Sequence, residues 1–106
     1  MELHDATELL AALGHESRLA IFRLLVEAGP DGVNASAIGE RLGMVPATLS
    51  FHLSHLSRVG LIRGERESRF IHYSADFEAM DKLIAFLTHN CCQGQPCLPN
   101  TPKRKK

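Results

Sequence analysis

Apolar residues recur at helical spacing from the start of the chain. Leu3, Ala6, Leu9, Leu10 and Leu13 mark one face of a first helix that Gly14 ends. From Ser17 to Ala28 the apolar positions (Leu19, Ala20, Ile21, Phe22, Leu24, Leu25, Val26) run almost all round the wheel, which places this helix at the centre of the core. Gly29-Pro30-Asp31-Gly32 breaks it. Asn34 suits the N-cap of a short helix over 34–42, with Gly43 as its stop. Pro46 then opens a helix to about Arg58, ended by Gly60. On this helix Leu49, Leu53 and Leu56 form a narrow apolar stripe, and Ala47, Thr48, Phe51, Ser54 and His55 lie opposite. A Phe turned away from the core stripe either has an outside partner or is simply a poor surface residue.

The period then changes. Leu61–Arg66 and Arg69–Ala75, rich in Ile, Phe and Tyr, predict two strands joined around Glu67-Ser68. Phe77, Met80, Leu83, Ile84 and Leu87, with Phe86 beside them, predict a last helix from Asp76 to about Asn90. The fold class is α+β, mostly α: about five helices and a two-stranded hairpin. Residues 1–90 make one domain, and 91–106, with three prolines and a basic end, form a tail expected to be flexible.

The pair of helices 34–42 and 46–58, joined through Gly43-Met44-Val45, is a helix-turn-helix, and the hairpin behind it is a wing. A helix of this length fits the major groove of DNA with its N-terminal half at the bases. Thr48, Ser50, His52 and His55 offer hydroxyl and imidazole hydrogen bonds there, and Phe51 suits a thymine methyl. His52, about 60° from the leucine stripe, also fits a half-buried core histidine. Arg66 and Arg69 flank the hairpin tip and suit phosphate or minor-groove contact, whereas Arg63 reads as scaffold or salt bridge.

Charge changes this picture only in detail. The formal net charge is zero, yet residues 1–40 hold seven acids against two arginines, and residues 41–75 five arginines against two acids. The Lys103-Arg104-Lys105-Lys106 end adds a further basic run. Such segregation suits one face prepared for a polyanion.

Size and composition narrow the remaining classes. A chain of 106 residues is one domain, too small for a two-lobed enzyme. Apolar runs such as Leu24-Leu25-Val26 are far below a membrane span of about 20 residues. Met1-Glu2-Leu3-His4-Asp5 lacks the basic start of a signal peptide, so a cytoplasmic location is expected. No Gly-rich phosphate loop is present, and Cys97–Lys103 lacks the arginine a phosphatase loop needs. Neither enzymatic activity nor an organic cofactor is expected.

Three stretches together carry a family likeness: Glu16-Ser17-Arg18-Leu19-Ala20-Ile21-Phe22-Arg23-Leu24-Leu25, Ile38-Gly39-Glu40-Arg41-Leu42-Gly43, and Ala47-Thr48-Leu49-Ser50-Phe51-His52-Leu53-Ser54-His55-Leu56. With Val59-Gly60-Leu61-Ile62 and the wing Arg66-Glu67-Ser68-Arg69-Phe70-Ile71-His72-Tyr73, the chain from residue 6 to about 90 resembles the ArsR/SmtB family of small dimeric repressors. Ser68 stands where that family usually has Gly. The resemblance implies a homodimer joined through the first and last helices, bound to an inverted-repeat operator and released by an inducer.

Members of the family often hold a metal through cysteines on the first helix of the helix-turn-helix, but Val33-Asn34-Ala35-Ser36-Ala37 contains no thiol. All three cysteines follow the last helix: Cys91, Cys92 and Cys97. An odd number of clustered thiols argues against a disulfide framework and for a soft metal or a redox switch. Three thiolates satisfy trivalent arsenic or antimony, while zinc normally takes four ligands. The pattern resembles arsenic-responsive repressors whose cysteines cluster after the last helix, so As(III) or Sb(III) is the expected inducer. Two alternatives stand beside it. Asp76, Glu78, His89 and Cys92 fall on the steps that zinc-sensing relatives use on their dimer-interface helices, and the thiols also suit a redox sensor.

Overall fold

The computed structural model describes residues 1–94. Its elements are α1 (Leu3–Leu13), α2 (Glu16–Ala28), β1 (Val33–Asn34), α3 (Ala35–Leu42), α4 (Pro46–Arg58), β2 (Ile62–Glu67), β3 (Phe70–Ala75) and α5 (Phe77–Leu87), followed by a 3₁₀ turn over Cys91–Gly94. Among these, no helix is long and apolar enough to cross a membrane.

Local chemistry sets most of the boundaries. The Asn34 side chain accepts from Ala37 N–H at 2.9 Å, satisfying one of the free donors at the start of α3. Gly43 closes α3 at φ 67°, a left-handed conformation that Gly adopts without a Cβ penalty. Pro46 takes the first position of α4, where its missing N–H costs nothing. Asp76 caps α5 through Ala79 N–H at 3.0 Å.

The central position of α2 follows from its neighbours, since it packs against α1, α3, α4 and β3. Its Ile21, Phe22 and Leu25 are buried together with Leu49, Leu53 and Leu56 of α4. Leu19, however, is 44 % exposed, so the apolar surface of α2 is not buried all round.

Four features differ from the sequence reading. The hairpin is part of a three-stranded antiparallel sheet, ordered β1-β3-β2, because Val33 pairs with Tyr73 and Asn34 with His72. Gly32 permits this approach: it sits at φ 80°, and a Cβ there would lie 2.6 Å from the Tyr73 carbonyl oxygen. The hairpin turn falls at Ser68-Arg69, one residue later than expected, with Glu67 opposite Phe70. Leu61 precedes the strand, its N–H spent on the Leu56 carbonyl at 3.0 Å where α4 ends. Finally α5 stops at Leu87, short of Asn90. The Thr88 hydroxyl donates to the Ile84 carbonyl at 2.9 Å, and Asn90 takes φ 56°, outside any right-handed helix.

Candidate nucleic-acid interface

Two elements converge on one face: the outer side of α4 and the wing formed by β2 and β3. The stripe Leu49, Leu53 and Leu56 holds α4 against the core, which turns Thr48, Ser50 and Ser54 to solvent. Phe51 is 67 % exposed; its ring meets His52 edge-on at 5.6 Å, and the rest of it stands in water. His55 is half-buried in the last turn. Burial and the nearby Arg18 and Arg58 push its imidazole below its ordinary value, which favours the neutral ring.

Arg66 and Arg69, both exposed, bracket the wing tip. Between α3, the start of α4 and the wing runs an open cleft of about 830 Å³, with Met44, Val45, Pro46, Ser50, Arg69 and Phe70 along it. Ser50 and Arg69 thus face one groove from opposite walls. A duplex backbone crossing from recognition helix to wing would follow that groove, with hydroxyls on one side and a guanidinium on the other. Arg63 stands apart from this group. It reaches Asp76 at 3.9 Å and belongs to the scaffold.

His52 is corrected by the structure. It is 6 % exposed, the one polar side chain among the buried described residues, and its ring lies against His15 at the corner between α1 and α2. Its place 60° from the leucine stripe becomes interior because α2 leans on that flank of α4.

Sequence reasoning also missed residues. Val45 and Phe70 are 63 % and 52 % exposed along the cleft. The signal for Phe70 was the unbroken run Phe70-Ile71-His72-Tyr73, which does not alternate as a half-solvated strand should. His15 was missed as well. It caps α2, its Nδ1 accepting from Ser17 N–H at 3.2 Å, a position where Ser, Thr, Asp or Asn would have been the visible sign.

The expected metal ligands are placed less fully. Cys91 and Cys92 head the 3₁₀ turn behind α5, and Cys97 lies outside the described residues. Asp76 and Glu78 stand at the start of α5, where Asp76 caps the helix and Glu78 meets Lys82 at 3.7 Å, while His89 follows its other end. An eleven-residue helix separates these ends by about 16 Å, so only a second copy of α5 running the opposite way joins them. Among the described residues, no three His, Cys, Asp or Glu side chains gather within one chain to hold a metal ion.

A recognition helix packed through one stripe, a preceding helix at a tight turn and a basic hairpin define a winged helix-turn-helix protein. A family model for the helix-turn-helix domain matches residues 13–65. The chain is 37 % identical over 95 residues to the HTH-type transcriptional regulator YbzH of Bacillus subtilis, covering 78 % of this chain and 95 % of that protein. The solved structure of HlyU from Vibrio cholerae superposes with a TM-score of 0.68 at 28 % identity, covering 88 % of this chain and all of that one. HlyU is described as a transcriptional activator. Mb0332 of Mycobacterium bovis, described as a homodimeric winged helix-turn-helix DNA-binding domain and a possible ArsR-family regulator, superposes with a TM-score of 0.66 at 24 % identity, over 90 % of this chain and 88 % of that one. The chain belongs to this helix-turn-helix family of transcriptional regulators, and its fold is that of ArsR-type winged helix-turn-helix proteins.

Proposed function

We propose that the protein is a homodimeric transcriptional repressor. It sets α4 in the major groove of an inverted-repeat operator, lays Arg66 and Arg69 of the wing on the flanking backbone, and is released by a soft trivalent metalloid. The observation that carries this reading is the outer face of α4, where Thr48, Ser50 and Phe51 stand exposed beside the wing arginines. Hydroxyls and an apolar ring are what base edges and thymine methyls need, and the arginines supply the phosphate contacts that fix register.

Support for a dimer comes from the opposite side. Leu3 and Leu10 of α1 are 73 % and 44 % exposed, Ile84 and Leu87 of α5 are 40 % and 55 % exposed, and the two helices pack together. A second copy covering that surface would bury apolar area worth about 25 cal/mol per Å². It would also place two recognition helices to meet half-sites one DNA turn, about 34–36 Å, apart.

Cys91, Cys92 and Cys97 supply three thiolates, the number As(III) or Sb(III) takes in a pyramid. Gathering them turns the chain directly behind α5, and a coupling of about 1–3 kcal/mol to the dimer is enough to lower operator affinity about 5–150-fold.

The test is fluorescence anisotropy with inverted-repeat promoter duplex, titrated in salt and then with arsenite. Retention that weakens with salt, release by arsenite and persistence of a Cys91→Ser/Cys92→Ser/Cys97→Ser variant on the duplex are the expected results. A promoter reporter gives the sign, with transcription rising on arsenite. Absence of any preference for the inverted repeat overturns the DNA reading, and arsenite release of the triple variant overturns the thiol site.

A further inference from the structure

Between the recognition helix and the corner that joins α1 to α2 lies a pair of imidazoles that DNA contact does not explain. The His15 and His52 ring centres are 4.8 Å apart, with planes tilted by 50°. His52 is buried, and its Nδ1 has no hydrogen-bond partner. His15 Nδ1 accepts from Ser17 N–H and so caps α2. Arg18, one turn into α2, donates from Nε to the Ala12 carbonyl of α1 at 2.7 Å. This corner therefore ties the two helices together and touches the inner side of α4.

We propose that His15 and His52 are a positioning pair for the recognition helix: the His15 ring, fixed by its cap on α2, packs against His52, whose ring must be neutral for α4 to stand where it does, and protonating His52 loosens α4 and weakens its hold on duplex DNA. This rests on the DNA-binding reading and adds a regulator to it.

His15 Nδ1 is the acceptor that caps α2, which fixes its ring beside His52. A proton on His52 puts a charge in the interior. The groups acting on His52 are His15 and Arg18 from the α2 side and His55 from α4, every one positive or able to become so. Burial first, and then these neighbours, push its imidazole below the ordinary value of 6.5.

The sign follows from linkage. A histidine depressed in the folded state stabilises it fully above 6.5, and that contribution fades as pH falls below 6.5, where the unfolded chain takes protons first. Protonation in a simple basic surface acts the other way, because added positive charge tightens DNA binding. The direction of the pH profile therefore separates the two.

The experiment uses the full chain in two arms. In the first, without DNA, imidazole resonances and amide exchange of α4 are followed from about pH 8 to about pH 5.5. The His52 ring should stay neutral below its ordinary value of 6.5, with α4 protection falling as it titrates. Titration at the ordinary value with unchanged α4 protection overturns the pair. In the second arm, affinity for inverted-repeat duplex is measured over the same range at fixed ionic strength. Wild-type affinity should fall with pH, by on the order of tenfold for one unit of linked shift. His15→Asn, which keeps a good cap but removes the imidazole beside His52, should give a shallower profile, as should His52→Leu. Wild-type affinity that rises on acidification, or a His15→Asn profile as steep as wild type, overturns the proposal. Loss of DNA binding at every pH would instead fell the DNA reading, with the first arm still deciding the pair.

Discussion

The two faces of α4 answer to different rules. On the inner face Leu49, Leu53 and Leu56 are all buried, and nearly every atom there is accounted for by packing against α2 and the sheet. On the outer face Thr48, Ser50, Phe51 and Ser54 are exposed, and the core does not dictate them; Phe51 meets only the edge of His52. The comparison teaches where function is to be sought: a residue whose identity the core does not explain is free to be explained by a partner. Thirteen residues of one helix carry both jobs because a period of 3.6 keeps the two sets apart.

The sharpest way to break this division is on the buried side. Leu56→Ala removes a side chain that is wholly buried, and loss of transfer energy plus the cavity should destabilise the fold by about 2–5 kcal/mol. Urea unfolding reads this directly. DNA binding would then fail only in proportion to the unfolded fraction, and a Leu56→Ala protein that stays folded but loses all operator affinity would mean the inner face also reads DNA.

On the outer face the effects should reverse. Thr48→Ala is expected to leave stability within about 0.5 kcal/mol. Its discrimination between operator and a mismatched duplex should fall by about 1–3 kcal/mol, read by competition titration. Arg69→Ala, on the wing, should weaken binding to every sequence alike and lower the salt slope by about 1. Equal salt slopes for Arg69→Ala and wild type would remove the wing from the interface.

How much of this was legible beforehand divides along the same line. The stripe on α4, the Asn34 cap, the Gly43 stop and the Pro46 start are local signals, and each stands where the spacing put it. Strand β1 was not legible, because two residues carry no period and Val33 is recruited by Tyr73 forty positions later. His52 could not be settled by a helical wheel, since an angle of 60° from the stripe is inside or outside according to what leans on it. The outward set Thr48, Ser50 and Phe51 was legible; the cleft that joins them to Arg69 and Phe70 needed the third dimension.

A smaller effect tests the local signals themselves. Asn34→Ala deletes the bond to Ala37 N–H at the start of α3 and should cost about 1 kcal/mol in thermal unfolding. Because α3 carries the helix-turn-helix turn, operator affinity should fall by no more than that stability change allows.

The smallest effect lies in the wing. Ser68 occupies the first turn position at φ 62°, a conformation that two-residue hairpins reserve for Gly, Asn or Asp. A side chain held there stores about 1 kcal/mol or more of strain. Ser68→Gly releases it but gives the unfolded chain more freedom, a loss of roughly 0.5–1 kcal/mol. The difference should leave the protein slightly more stable, by less than about 0.5 kcal/mol. Gly60 supplies the control. It ends α4 at φ 87° with no atom within 4 Å of where a Cβ would stand, so Gly60→Ala meets no clash and isolates the backbone term. It should destabilise by about 1 kcal/mol. Opposite signs at these two turns, measured in one set of denaturation curves, would show that strain is kept at the wing tip and avoided at the helix end. Equal signs would mean that the Ser68 side chain contributes something the turn geometry does not express.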